Sequence, residues 1–352
     1  MTISDVAEVA GVSKTAVSFA FNSPSRLGEA TAVRIREVAD ELGYRPNPVA
    51  RALTRRKTGS IGVLTPQALS VIFANPFFSA FSEGVGLAAE ESGYGLNFIS
   101  PLHGSLSDGV GQATVDGIVA IGLSADHPEV EGVRRAGMPI VTVDSSALAE
   151  YPSVEVDDEA GARAAAEHLL DLGHRDFLVI GVEPPLAAGR DDPDGVMSRR
   201  LRGYRSAIEA AGASLPEAAI LVGPASVSGG TAAFAEAWAD GLRPTAVLAM
   251  SDAMAVGAIR AMRDLRIDVP GDISVVGYDD LELARLTDPP LTTVHQPVRQ
   301  KGEEAVRLLL SAIEGQPQRP ERRRLETRLV VRASTAPPPT HRSQEVSQAF
   351  QP

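Results

Sequence analysis

Over the first forty residues, apolar positions recur at spacings of three and four, the period of helices packed on one side. Thr2-Ile-Ser-Asp5 has the spacing of a capping box, so a helix is expected to begin there. It should turn Val6, Val9 and Ala10 inward and stop at Gly11, which can take a positive φ. Ser13 is expected to cap a second helix, roughly Lys14 to Phe21, with Ala16, Val17 and Ala20 inside and Lys14, Thr15, Ser18 and Phe19 outside. Two short helices joined through Gly11-Val-Ser13 make a helix-turn-helix. A third, about Thr31 to Leu42, adds a stripe of Ile35, Val38, Ala39 and Leu42 and ends at Gly43, closing a small all-α core. From Gly59 the pattern changes to short apolar runs separated by helical stretches. Ile61 to Leu64, Leu96 to Ile99, Ile118 to Ile121 and Ile140 to Val143 read as strands of one parallel sheet. Phe177 to Val182, Ala219 to Val222, Val247 to Met250 and Ile273 to Val276 read as strands of another.

These elements predict a helix-turn-helix domain over residues 1–46, a hinge over 47–58 and an α/β domain of two lobes, each a doubly wound parallel sheet, over 59–333. Residues 334–352 are expected to form a disordered tail, being rich in proline from Pro337 onward and free of leucine heptads. In the hinge run R-P-N-P-V-A-R-A-L-T-R-R-K, Asn47 can cap, Pro48 suits the first helical position, and Leu53 stands apolar among cations. So short a helix does not hold in water alone, so it should order only against DNA and a partner.

Composition is that of an ordinary globular protein: 352 residues, 44% hydrophobic and 22% charged, enough for two or three domains with cores. No run of 18 apolar residues and no leader-like N-terminus are present, which predicts a cytoplasmic protein with no membrane partner. Zero cysteines exclude disulfides, thiolate nucleophiles and cysteine zinc sites. A net charge of −12 argues against nucleic acid until the charge is located. Met1 to Ser60 carry nine Lys/Arg against six Asp/Glu, a balance of +3, and the rest of the chain therefore carries −15. Arg51, Arg55, Arg56 and Lys57 crowd the end of that segment, where they can neutralise phosphates; a solvated basic linker is the plainer alternative.

The order T-I-S-D-V-A-E-V-A-G-V-S-K-T-A-V-S-F-A-F-N, then L-G-Y-R-P-N, then A-R-A-L, resembles the lactose/galactose repressor family, and the likeness continues to about Ala333. The resemblance implies a transcriptional repressor that binds a palindromic operator as a homodimer under control of a small-molecule effector, with no catalysis and no cofactor. It places Lys14, Thr15 and Phe19 on the base-reading face and Ser13, Ser18, Asn22 and Arg26 at phosphates or beside them. In the hinge it implicates Asn47, Ala50, Arg51 and Leu53, the last as the wedge that kinks the central minor-groove step. Phe19 departs from the polar or basic residue common in the family. Its ring can meet a thymine methyl but cannot donate to guanine, so the half-site should differ; packing inside the domain is the other reading.

For the body, the resemblance implies the fold of periplasmic sugar-binding proteins, with three chain crossings between lobes and the effector in the cleft at the strand ends. Phe77 and Phe78 of Asn75-Pro-Phe-Phe78 then line the pocket, and Arg200, before Gly203-Tyr204, clamps ligand oxygens, with Arg199 and Arg202 as alternatives in register. Ser251 and Asp252 stand where the family has N-D, and Asp279 in Gly277-Tyr-Asp-Asp280 accepts ligand hydroxyls. Ser251 for asparagine, and no aromatic near Gly223 to Gly230, count against a standard hexose; the expected effector is small and polar, rich in hydroxyls or carrying a carboxylate, with a sugar or sugar derivative the leading class. A transport protein would share the lobes but need export and no basic head. An enzyme would need a nucleophile, a metal set or a cofactor loop. Gly84-Val-Gly-Leu-Ala-Ala89 matches a dinucleotide fingerprint but is expected inside a helix. His168 and His174 read as a surface residue and a helix cap rather than metal ligands.

Overall fold

The computed structural model describes residues 1–45, 57–123, 127, 129–135, 137–145, 150–183, 194–315 and 321–339. Two compact units emerge, residues 1–60 with 114–116, and residues 61–113 with 117–352.

In the first unit α1 (Ile3–Val9), α2 (Lys14–Asn22) and α3 (Glu29–Glu41) enclose Val6, Ala7, Ala10, Val17, Ala20, Ile35 and Ala39. The expected capping box is formed: Asp5 N–H donates to the Thr2 hydroxyl and Thr2 N–H to the Asp5 carboxylate, at 3.4 and 2.8 Å. Val9, expected inside, is 60% exposed and Ala7 takes its place. At about 100° per residue, Val6, Ala7 and Ala10 share one arc, and Val9 falls well outside it.

The second unit holds two sheets. The first lobe runs β1 (Ser60–Leu64), α4 (Leu69–Ala74), α5 (Pro76–Glu91), β2 (Gly95–Ile99), α6 (Leu106–Gln112), β3 (Ile118–Ile121), α7 (Val130–Arg135), β4 (Ile140–Val143) and β5 (Ser153–Val156). The chain then crosses to the second lobe: α8 (Asp158–Asp171), β6 (Phe177–Val182), α9 (Val196–Ala210), β7 (Ile220–Gly223), α10 (Val227–Ala239), β8 (Ala246–Ala249), α11 (Asp252–Asp264), β9 (Ser274–Asp279), α12 (Glu282–Leu286) and β10 (Thr292–His295). It returns for α13 (Val298–Ile313) and β11 (Arg322–Leu325), and crosses a third time for β12 (Arg328–Val330). The strand orders are β11-β5-β4-β3-β1-β2 and β12-β10-β9-β8-β6-β7. The lobes are thus topological copies in which β4 corresponds to β9 and β5 to β10. The recorded pairings are parallel except β10 with the edge strand β12. The central parallel strands β3, β4 and β8 are buried apolar runs, as helices on both faces require.

The tail begins later than expected. Ser334 is fully buried, its carbonyl accepts from the Val275 N–H of β9 at 2.8 Å, and Ala336 N–H donates to the Ser274 hydroxyl at 3.0 Å. His174 caps the end of α8 as expected, its N–H donating to the Leu169 carbonyl at 3.1 Å, but its ring is buried and holds this strap through Ser274 and the Ala336 carbonyl; His168 meets the Thr335 hydroxyl. Burial outweighs these contacts and lowers both imidazole pKa values. Residues 340–352 lie outside the described residues.

Gly84 lies in α5, where the sequence placed its fingerprint-like motif, and serves packing. A Cβ there would sit 2.0 Å from the Arg299 carbonyl oxygen, while a Cβ on Gly302 of α13 would sit 2.5 Å from that of Phe81, so the two helices meet backbone to backbone. Gly86 faces open space. Gly84→Ala should therefore cost about 1–3 kcal/mol through overpacking, whereas Gly86→Ala should stabilise by up to about 1 kcal/mol through helix propensity. Urea unfolding midpoints check the pair, and equal shifts would refute the packing account.

Candidate functional site

On the first unit the residues singled out from sequence gather on one side of α2. Ser13 caps the helix, its hydroxyl accepting from Ala16 N–H at 3.1 Å, which fixes the register of everything after it. Lys14 and Thr15 are exposed, Ser18 and Phe19 half-buried, and Val17 and Ala20 buried on the opposite side. The Asn22 amide donates to the Ser18 hydroxyl at 3.2 Å. The Arg26 guanidinium lies 4.7 Å from the centre of the Phe19 ring, a cation–π contact on the surface. Phe21, two residues on, is the aromatic that goes inward, edge-on to Tyr44 at 6.0 Å. Phe19 is thereby left off the core cluster, on the outer face with Lys14 and Thr15. Asn47, Ala50, Arg51 and Leu53 lie outside the described residues.

In the second unit the buried charges collect at the carboxyl ends of β4 and β9. Asp144 follows β4 with φ 47°, and Asp279 ends β9 with φ 117°, followed by Asp280 at φ 58°; three non-glycine residues in the left-handed region mark backbone constrained by its surroundings. Lys301 of α13 is fully buried and donates to both Asp144 oxygens at 2.8 and 2.6 Å and to the Gln296 carbonyl oxygen. The Gln296 amide donates in turn to Asp279 Oδ1. A continuous chain of hydrogen bonds therefore runs from the first lobe through the crossover to the second. The Lys301 ammonium also stands 5.7 Å from the centre of the Phe77 ring, and Phe77 stacks in parallel on Phe81 and edge-on to Phe78.

Arg200 is the buried arginine of its cluster. It donates to Asp158 Oδ1 at 2.8 Å and to the Met250 carbonyl, and lies 3.5 Å over the Tyr278 ring. Arg199 takes the other Asp158 oxygen at 2.7 Å, while Arg202 pairs with Glu159 at the surface. Much of the fork expected to clamp a ligand is thus committed within the protein. Burial alone would raise the Asp158 pKa, but Arg200, Arg199 and Lys301 outweigh it and hold the carboxyl below its usual range. At Asp279 burial wins over Arg200, Gln296 and Lys301, and the pKa is pushed up to about 6.

Two residues expected at the ligand are turned to other work. Ser251 caps α11, accepting from Met254 N–H at 3.2 Å. Asp252 is fully buried, with one oxygen on Leu281 N–H at 2.8 Å and the other on the Thr293 hydroxyl at 2.5 Å, so it braces the loop after Asp279 instead of facing the cleft. Sequence reasoning missed Asp144, Asp158, Gln296 and Lys301. A signal existed for one of them: Lys301 falls three residues after Val298 and four before Ala305, on the apolar stripe of α13 where a lysine has no reason to be unless paired. Among the described residues no group of three or more His, Asp or Glu could hold a metal ion, and no helix is long and apolar enough to cross a membrane.

A three-helix head with an outward polar face, and a two-lobed body with buried charges at its strand ends, define a DNA-binding regulator with a ligand-binding domain. Residues 2–47 match the bacterial regulatory proteins of the lacI family, and residues 166–335 the periplasmic binding protein-like domain. The chain is 33% identical over 340 residues to the HTH-type transcriptional regulator CelR of Thermobifida fusca, covering 95% of this chain and 98% of that protein. It is 33% identical over 321 residues to the ribose operon repressor of Escherichia coli K12, covering 89% and 93%. Among solved structures, a CelR–cellobiose complex matches with TM-score 0.70 and 31% identity over 95% of this chain and 99% of that one. A lac repressor dimer bound to operator and the anti-inducer ONPF matches with TM-score 0.79 and 27% identity over 96% and 99%. The chain belongs to the lacI family of bacterial regulatory proteins.

The raised pKa of Asp279 carries a sign. An unfolded aspartate titrates near 4 and this one near 6, so its contribution to stability is complete below about pH 4 and is lost as pH rises through about 6. Asp279→Asn should remove that loss, flattening the stability profile between about pH 4 and 7 by roughly 2 kcal/mol relative to wild type. Urea unfolding of both proteins across that range checks it, and parallel profiles would show that the carboxyl is not perturbed.

Proposed function

We propose that this lacI-family regulator is a cytoplasmic repressor that binds an approximately palindromic operator as a homodimer, with a sugar or sugar derivative between the lobes setting its affinity for DNA. The observation that carries this reading is the outer face of α2, where Lys14, Thr15, Ser18 and Phe19 are held clear of the core by the Ser13 cap and by Val17 and Ala20. One such helix spans too few base pairs for specificity, so two copies related by a two-fold axis read two half-sites. Leu53 wedges the central step, with Asn47, Ala50 and Arg51 placing the hinge, by resemblance to the family. In the body, Arg200, Asp279, Phe77 and Phe78 meet the effector, while Ser251 and Asp252 shape the strand ends behind them. Cellobiose and ribose, bound in structures of two relatives, set the class. The protein performs no catalytic step.

Selection from randomised duplex DNA tests the reading. The selected site should be an inverted repeat, and its affinity should fall log-linearly with salt. Phe19→Ala should lose about 1–3 kcal/mol at one thymine-containing position of each half-site, and Leu53→Ala should weaken binding together with the DNA bend, measured by circular permutation assay. Enrichment of no site, or of sites without symmetry, would refute the repressor reading.

A further inference from the structure

The topological repeat makes Asp144 and Asp279 counterparts. Asp144 directly follows β4 and Asp279 ends β9, the fourth strand of each lobe in chain order; each has a left-handed φ, and one carboxylate is held by Lys301 of α13, the other by Gln296 of the crossover that precedes it. What joins them is Lys301, whose three N–H bonds are spent on Asp144 and Gln296 while Gln296 holds Asp279. An ammonium with no donor to spare cannot itself take a ligand oxygen. Carboxylate oxygens retain lone pairs, and Asp279 Oδ2 has no hydrogen-bond partner among the described residues. The walls therefore offer acceptors, whereas Arg199 donates to Asp158 and Asp194 O, and Nε and Nη1 of Arg200 to Asp158 and Met250 O, which leaves Arg200 part of its fork.

We propose that Lys301 is a positioning residue of the effector site: clamped between Asp144 and Gln296, it fixes the two strand-end carboxylates, one on each lobe, as paired acceptors for the hydroxyls of an uncharged polyhydroxylated ligand. The proposal deepens the cleft reading given above and rests on it for the ligand. It favours an uncharged ligand over one whose recognised group is a carboxylate or phosphate, since such a group would meet Asp144, Asp158 and Asp279, with Lys301 already paired. Asp279 is faced by Arg200 of α9, Lys301 of α13, Asp158 of α8, Asp252 of α11, Gln296 of the crossover and the phenols of Tyr204 and Tyr278. Replacing Lys301 removes one cation from that set and leaves the others.

The test uses full-length wild type, Lys301→Met, Lys301→Arg, and the double variant Asp144→Asn/Lys301→Met, which removes both charges of the buried pair and guards against a fold lost to an unpaired Asp144. Carbon-13 carboxyl resonances are followed between about pH 3 and 8, with no saccharide present. The Asp279 midpoint should rise by about one pH unit in the Met variants and return most of the way in Lys301→Arg. A midpoint unchanged in a folded Met variant overturns the positioning role. Calorimetric titration with cellobiose, ribose, glucuronate and glucose 6-phosphate supplies the second readout. Whichever neutral sugar binds wild type should bind the Met variants at least about tenfold more weakly and Lys301→Arg within about threefold. Equal affinity in all four proteins, or preferential binding of either anion by wild type, overturns the proposal. If none of the probes binds wild type, the cleft reading loses its support while the resonance titration still decides whether Lys301 positions Asp279.

Discussion

An ion buried without a partner costs several kcal/mol, so a fully buried ammonium dictates what surrounds it. Lys301 obliges Asp144 to turn toward it and obliges Gln296 to present its carbonyl oxygen, which leaves the Gln296 amide pointing at Asp279. Arg200 imposes the same condition on the other lobe, met by Asp158, the Met250 carbonyl and the Tyr278 ring. Apart from Arg200 of α9, these side chains come from strand ends, from the crossover after β10 and from the helices that follow the crossovers. Their positions are therefore inseparable from the way the chain passes between lobes.

The crossings explain why the site lies where it does. In each lobe the chain leaves its own sheet after the fifth strand, β5 or β10, and begins a helix on the opposite lobe, so the first turns of α8 and α13 come to lie beside the strand ends. Asp158 opens one of these helices and Lys301 lies on the first turn of the other. Asp158 is paired within the second lobe and Lys301 with Asp144 of the first, so of these contacts it is the Gln296 bridge from Lys301 to Asp279 that a change in the angle between lobes would alter.

Local interactions were the legible part of the sequence. The Thr2–Asp5 box and the Ser13 cap are read from residues three apart, and the apolar strands of both sheets from runs that only burial on two faces produces. Four strands escaped. Ser153–Val156 is short, Thr292–His295 opens with two threonines, and Arg322–Leu325 and Arg328–Val330 are arginine-bearing edge strands that look like linker. The ordered strap at Ser334 to Ala336 has little apolar pattern because hydrogen bonds to Ser274 and His174, far away in sequence, hold it. At the cleft, Arg200 and Asp279 were placed by motif order, but what each is bonded to depends on Asp158 and Gln296, which no local spacing connects to them. Asp252 shows the opposite error, a motif position whose carboxylate turns away to close a loop.

A cleft whose charges are already satisfied constrains how a ligand can act. Each hydroxyl that enters must either use a spare lone pair, as on Asp279, or displace a bond the protein makes to itself, and the net gain per contact is then near that of an ordinary exchange, about 1 kcal/mol. Affinity must therefore come from several hydroxyls placed together, and a ligand that fits one angle between the lobes will not fit another. The regulatory effect is the difference between those fits. A coupling of roughly 1–3 kcal/mol suffices to change operator occupancy, which is within reach of two or three hydrogen bonds made at one closure angle and lost at the other. The spent donors of Lys301, and the part of the Arg200 fork committed to Asp158 and Met250, thus favour discrimination between conformations over tight binding to either.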